Sequence, residues 1–311
     1  MLRAPNRIPA VSERLVVALQ YALPKRLLTQ FAGKLAGLEG GAATTAVVRW
    51  FAKRYGVNLA EAVNPDPASY ASFNAFFTRP LREGARPLAA ADFVCPVDGA
   101  ISQFGPIESD QVFQAKGHFY STTALVGGDR ALAARFENGD FATIYLSPRD
   151  YHRIHMPCAG RLVQMVYVPG ELFSVNPATA RGVPGLFARN ERVVCVFEGD
   201  SGPFVMVLVG ATIVGSMATV WHGVVNPPRR PTIVKRAYAA GEVMLGKGDE
   251  MGRFLLGSTV VMLFPKDVLR FVSDWAPGAA VRMGEPMALA KVAAVVAEVP
   301  CDGAADAADA P

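Results

Sequence analysis

Beyond Pro87 the sequence is cut into short β-branched or aromatic runs by recurrent glycine and proline, and this punctuation limits the fold more than any other feature. The runs fall at 100–104, 141–146, 161–166, 193–197, 204–209, 212–220 and 260–264. Their length suits strands, and they do not alternate regularly with helical segments, so antiparallel or mixed pairing is expected rather than βαβ units. Within this region only 125–136 reads as a helix. The run 260–264, Val-Val-Met-Leu-Phe, has no polar residue and predicts a strand buried on both faces. Segment 204–220 carries no charge but is interrupted by Gly210 and Gly215. It predicts two buried strands with a bend, because a membrane span needs about 20 residues without such breaks.

The first 56 residues follow a helical period instead. Leu15, Val16, Leu19 and Leu23 recur ahead of Pro24, and Leu28, Phe31, Leu35 and Leu38 form a second stripe ended by Gly40-Gly41. Residues 44–55 put Val47, Val48, Phe51 and Tyr55 on one side of a third helix, with Trp50 near its edge. Helices this short need a surface for the stripe. Two surfaces qualify: the protein's own core, or an anionic bilayer attracted to basic flanks. Residues 1–56 hold nine basic and two acidic side chains, a net +7, in a chain whose formal charge is +4. After the turn at Asn64-Pro65-Asp66-Pro67, residues 72–81 predict a short helix carrying Phe73, Phe76 and Phe77. The reading is an α+β chain with three parts. N-terminal amphipathic helices form a membrane-associating segment 1–60. A mainly antiparallel or mixed β domain occupies 61–301, and a patternless Ala/Asp tail at 302–311 is expected to be disordered.

Composition narrows the partners. Charged residues make up 19% against 51% hydrophobic, which suits a large buried sheet or a chain that works against a membrane. Basic residues are not interleaved with aromatics as on a nucleic-acid-binding face, so no nucleic acid is expected. Cys95, Cys158, Cys195 and Cys301 have no close spacing and no histidine at ligand distance. They read as core residues in a reducing compartment, and no metal site is expected. The start, MLRAPNRIPAVSER, has no apolar run leading to a small-residue cleavage site, which points to the cytoplasmic side of any membrane involved. Pro227-Pro228-Arg229-Arg230-Pro231 with Lys235-Arg236 is a proline-stiffened basic turn that would attract phosphate headgroups if it lay beside a lipid-facing site.

Of the four histidines, His118, His152, His155 and His222, two fall in Tyr151-His152-Arg153-Ile154-His155-Met156-Pro157. Pro157 and the preceding Ser147-Pro148-Arg149-Asp150 argue for a turn on which the two imidazoles converge, suited to proton transfer near neutrality. The plainer alternative is one core-satisfying histidine and one incidental one. Asp98, in Pro96-Val97-Asp98-Gly99, either makes an Asx-turn or orients a histidine. Ser258 follows Gly257 at the entrance to the 260–264 strand, as an ordinary strand start or as a nucleophile. Asp98, His155 and Ser258 compose one possible relay. The G-x-S-x-G elbow of α/β-hydrolases and the Rossmann and P-loop glycine patterns do not occur.

Taken in order, these pieces resemble the bacterial phosphatidylserine decarboxylases of the membrane-associated, proteobacterial type. The resemblance runs from about Leu19 to Ala290. It is carried by Phe73-Asn74-Ala75-Phe76-Phe77 with Arg79-Pro80-Leu81-Arg82, by Pro96-Val97-Asp98-Gly99, by Lys116-Gly117-His118 and by 151–157. Phe187-Ala188-Arg189-Asn190-Glu191-Arg192, 209–216, Glu250-Met251-Gly252-Arg253-Phe254 and Leu256-Gly257-Ser258-Thr259 complete it. It implies self-cleavage between Gly257 and Ser258: His155, oriented by Asp98, would take the Ser258 proton so that Oγ attacks the Gly257 carbonyl. The ester would then be converted, with loss of ammonia, into a covalent pyruvoyl cofactor heading an α chain, 258–311, that stays associated with a β chain, 1–257. The resemblance further implies a Schiff base with phosphatidylserine, electrons accepted as CO2 departs, and phosphatidylethanolamine as product. His152 is the candidate for meeting the leaving carboxylate region or supplying the proton at Cα, with Met156 and Phe254 as apolar surround. A peripheral position on the cytoplasmic face of the inner membrane and a homodimer are implied as well. The residues alone leave two rivals open: a non-cleaving serine hydrolase using Asp98, His155 and Ser258, and a peripheral protein that only binds anionic lipid.

Overall fold

The computed structural model describes residues 10–213, 216–256 and 259–291. Gly257, Ser258, Cys301 and the tail 302–311 therefore lie outside the described residues. The fold is α+β, with helices α1 (Ala10–Ala22), α2 (Lys25–Ala36) and α3 (Ala42–Tyr55) preceding a β domain. Among the described residues no helix is long and apolar enough to cross a membrane.

The large sheet runs Val234–Ala237, Gly160–Val168, Arg192–Gly199, Gly202–Val209, Thr259–Phe264, Asp140–Tyr145, Gly99–Pro106, Ala280–Val281, with Met244–Leu245 added beside Gly160–Val168. Every pairing in it is antiparallel. Thr259–Phe264 is an interior strand, bonded from Val261 to Thr143 on one side and to Val207 on the other. Its alternation separates two cores: Val260, Met262 and Phe264 pack with Met206, Leu208 and Ile144, while Val261 and Leu263 pack with Val205, Val207 and Phe187. The uninterrupted apolar run is thus explained by helices and loops covering both faces of an antiparallel sheet.

A four-stranded sheet stands beside it, ordered Gly223–Asn226, Met217–Thr219, Glu250–Phe254, Arg153–His155. Three neighbouring strands of the large sheet are joined in sequence to three neighbouring strands of the small one by three connections. They are 146–152, 210–216 and the one that leaves Phe254 and enters Thr259. Backbone bonds tie the start of the last to the other two: Phe254 N–H donates to His152 O at 3.0 Å and Leu255 N–H to Ser216 O at 3.0 Å.

Several expectations change in detail. The helix expected at 125–136 is two short ones, α5 (Thr122–Leu125) and α6 (Arg130–Ala134), because Gly127 and Gly128 take φ of 85° and 88°, where a helix cannot continue. The helix expected at 72–81 is a single turn, α4 (Phe73–Phe77), capped by Ser72 Oγ accepting from Ala75 N–H. Two further helices, α7 (Pro177–Gly182) and α8 (Leu186–Arg189), have no apolar period to announce them; α7 starts because Asn176 Oδ1 caps two amides. Cys95 and Cys195 are buried free thiols, and Cys158 is a partly buried one.

Candidate active site

His152 ends the 146–152 connection and is fully buried. Its ring lies against that of Phe77, centroids 4.0 Å apart. Nδ1–H donates to Asp150 O at 2.8 Å, which fixes the tautomer and leaves Nε2 with a bare lone pair. That Nε2 is buried without a hydrogen-bond partner. Burial pushes the ring pKa down to about 3, so His152 is neutral at physiological pH and presents an acceptor.

His155 is not on a turn. It closes the strand Arg153–His155, where it pairs with Glu250, and its N–H donates to Pro96 O at 2.9 Å. Nδ1–H donates to Gly248 O at 2.8 Å, so Nε2 accepts from Tyr151 O–H at 3.1 Å. A backbone carbonyl thus stands where a relay places a carboxylate. Burial lowers the ring's pKa, and the charges of Glu250 and Asp98 oppose that shift. Neutral His155, like neutral His152, has its basic atom at Nε2.

Asp98 sits just before the strand Gly99–Pro106, where Gly99 is required: a Cβ there would lie 2.5 Å from Tyr145 O. The Asp98 carboxylate accepts from Arg86 Nε–H at 2.9 Å, from Arg86 Nη2–H at 2.5 Å and from the Met283 amide at 2.9 Å. Arg86 also donates to Glu61 Oε2 at 2.8 Å. Asp98 and His155 share no hydrogen bond among the described contacts; Asp98 acts on the imidazole through its field.

Ser258 itself is outside the described residues; Leu256 and Thr259 flank the Gly257-Ser258 step in sequence. Thr259 pairs with Tyr145 and Val209, and its buried Oγ1 has no hydrogen-bond partner. Leu256 packs on the Phe51, Phe73, Phe76 and Phe77 cluster built by α3 and α4. An apolar cleft of about 510 Å³ lined by Leu35, Leu38, Val47, Trp50 and Phe73 reaches the same Leu256. Met156 and Phe254 are fully buried. His118 and His222 lie elsewhere, on the strand His118–Ser121 and in a turn.

Three hydrogen-bond partners of these side chains are not singled out by the sequence: Tyr151 and the Gly248 carbonyl on His155, and Arg86 on Asp98. Tyr151 adjoins the histidines, a usable signal, whereas nothing in composition or period pairs Arg86 with Asp98. Arg79 is 3% exposed, its Nη2–H reaches Arg149 O at 3.4 Å, and its charge bears on His152. The orphaned Thr259 Oγ1, a buried hydroxyl at the head of the central strand, can donate to a small carbonyl-bearing group there, whereas the His152 Nε2 lone pair accepts and suits a proton donor.

Comparison with known proteins identifies the family. A model of the family described as phosphatidylserine decarboxylase matches residues 73–289, and one described as PSD matches residues 15–56. The chain is 74% identical over 277 residues to a phosphatidylserine decarboxylase proenzyme of Azoarcus sp. (strain BH72), covering 89% of this chain and 96% of that protein. It is 69% identical over 277 residues to the proenzyme of Dechloromonas aromatica (strain RCB), covering 89% and 98%. It is also 69% identical over 281 residues to that of Polaromonas naphthalenivorans (strain CJ2), covering 89% and 97%. The chain belongs to the phosphatidylserine decarboxylase family.

Proposed function

We propose that this decarboxylase cuts its own backbone between Gly257 and Ser258, with His155 as base, and that His152 serves the later removal of CO2 from phosphatidylserine. The observation that supports the reading is the strand order on either side of the Gly-Ser step: Thr259–Phe264 lies between Gly202–Val209 and Asp140–Tyr145, Glu250–Phe254 lies between Met217–Thr219 and Arg153–His155, and Phe254 N–H is bonded to His152 O.

In self-processing, His155 Nε2 takes the Ser258 hydroxyl proton as Oγ bonds to the Gly257 carbonyl carbon. The carbon–nitrogen bond then breaks, and the proton returns to the nitrogen. Tyr151 O–H holds Nε2 until the hydroxyl replaces it, and Gly248 O holds the ring's other nitrogen. Elimination across the ester and hydrolysis leave a pyruvoyl group on residue 258 and release ammonia. Once formed, that group supplies the electron sink for loss of CO2. The cleaved chains remain together because Thr259–Phe264 is bonded along both edges inside the sheet.

For decarboxylation, His152 Nε2 is neutral at rest. A substrate carboxylate brought within its reach favours the protonated ring, so Nε2 takes a proton from solvent as the anionic substrate enters and delivers that proton to Cα once CO2 has left. Phe77 lies against the ring and, with the full burial of His152, keeps bulk water from it, which helps a carboxylate lose its charge as CO2.

Segment 1–60 is proposed to dock the enzyme on the cytoplasmic face of the inner membrane. Supporting this, Leu27, Phe31 and Leu38 are 67%, 64% and 59% exposed, and the apolar cleft runs from these helices to Leu256. Only the family resemblance supports the homodimer, which sedimentation of the processed protein measures directly. The test of the whole reading is the intact mass of purified protein. Two fragments meeting at 257/258, the smaller blocked at its N-terminus and reactive to a hydrazine, are expected. A single unbroken, active chain overturns it.

A further inference from the structure

The Asp98 carboxylate is gripped by an arginine and a backbone amide. Arg86 reaches both of its oxygens, Oδ1 through Nε at 2.9 Å and Oδ2 through Nη2 at 2.5 Å. The Met283 amide adds a third donor at 2.9 Å. The guanidinium is in turn fixed: Nη1–H donates to Ala85 O at 2.7 Å and Nη2–H to Glu61 Oε2 at 2.8 Å. Arg282 stands 3.6 Å from the other oxygen of Glu61. Side-chain exposures of 7% for Arg86, 10% for Asp98 and 19% for Glu61 take this chain largely out of water, where fork-shaped charge-assisted bonds fix geometry most firmly. Its three members come from a turn after α3, from the segment leading into the β domain, and from the turn before Gly99. The grip therefore joins the stretch that follows α3 to Asp98.

We propose that Arg86, anchored by Glu61, is the positioning residue for Asp98 in self-processing: it holds the carboxylate where its charge supports the His155 imidazolium that forms when Ser258 gives up its proton. The inference rests on the assignment of Asp98 and His155 to self-processing made above. Because His155 draws its hydrogen bonds from Gly248 and Tyr151, Asp98 influences it through space, and a carboxylate that acts at a distance depends on a partner to keep it in place.

The test follows the rate at which freshly made full-length precursor yields the fragment beginning at residue 258, for wild type, Arg86→Gln, Arg86→Lys, Glu61→Gln, Asp98→Asn and the double variant Arg86→Gln/Asp98→Asn. Arg86→Gln is expected to slow cleavage about ten- to a hundredfold, the range for losing a hydrogen bond to a charged group. Arg86→Lys keeps the charge but not the fork and should recover part of that loss. Glu61→Gln should have the smallest effect. The double variant should be no slower than Asp98→Asn alone, since the two residues act as one unit. A merely structural cross-link predicts instead that the losses multiply, and that result overturns the proposal. If Arg86→Gln does not fold, Arg86→Lys decides: cleavage at the wild-type rate overturns it, and slowed cleavage supports it. Wild-type cleavage by Asp98→Asn would instead sink the assignment of Asp98 itself.

Discussion

The central strand and helix α2 are comparably apolar along one face, yet they end in opposite surroundings. Val260 to Phe264 are wholly excluded from water between two cores, whereas Leu27, Phe31 and Leu35 of α2 project into it. Burying a side chain of this size is worth roughly 1.5–3 kcal/mol, so the strand has used its apolar surface to build the fold and the helix has kept its own unspent. On the proposed function, the difference separates a part whose residues decide chemistry from a part whose residues would decide where the chemistry takes place. Variants in the two regions should fail in different assays.

The largest effect belongs to the strand entrance. Ser258→Ala removes the only oxygen proposed to attack Gly257, so the chain should remain a single polypeptide with no decarboxylase activity, while still sedimenting with anionic vesicles. Loss of vesicle binding in this variant would break the division between the regions. Next is His152→Ala, which should still self-cleave but lose about 10²- to 10⁴-fold in kcat, the usual worth of a positioned acid or base. An uncleaved His152→Ala precursor would show that the two histidines do not divide the two reactions.

The same residue ties chemistry to acid stability. His152 is held neutral, its pKa falling from the usual 6.5 to about 3 in the folded chain. The unfolded chain therefore binds a proton that the folded one refuses between those values, and stability falls as pH drops from 6.5 toward 3. The loss is on the order of a few kcal/mol. His152→Phe should flatten that slope in thermal unfolding followed across the window, and an unchanged slope would assign the acid sensitivity to other groups.

The strands were legible because burial on two faces leaves uninterrupted apolar runs, as at 260–264, and burial on one face leaves alternation. Helices α7 and α8 were not, since turns this short rest on a cap at Asn176 and on packing rather than on a period. At the site, the identities of His152, His155 and Asp98 could be read from their motif, but their partners could not. Gly248 O, Tyr151 O–H and Arg86 are selected by the way strands cross, and the expected turn at 152–155 gave way to a strand because Ile154 and His155 pair with Glu250–Phe254. The exposure of the α2 stripe was equally beyond the period, which is the same for a helix facing a core and one facing a bilayer.

Two predictions sharpen the helical side of the comparison. Phe31→Glu with Leu35→Glu places charge on the exposed stripe and should weaken vesicle binding about a hundredfold, as expected for losing two partly inserted side chains. Self-cleavage should proceed at the wild-type rate: both side chains are exposed and outside the buried cluster of Phe76 and Phe77, although Leu35 lines the open cleft that reaches Leu256.

The smallest effect is expected from charge. Lys34, Arg49 and Lys53 are exposed on α2 and α3, and each basic residue near an anionic surface contributes about 1 kcal/mol, roughly fivefold in affinity. Replacing one with Gln should therefore weaken binding to vesicles rich in anionic lipid by about that factor, and the deficit should shrink as salt rises, since screening already removes the attraction from the wild type. On neutral vesicles the same variant should bind like wild type, whereas the Phe31/Leu35 variant should remain impaired on both. A basic-residue variant equally weak on both vesicle types would mean that its side chain supports the helix rather than the encounter. The apolar stripe alone would then account for docking, and the net +7 of the first 56 residues would have to be explained by something other than the membrane.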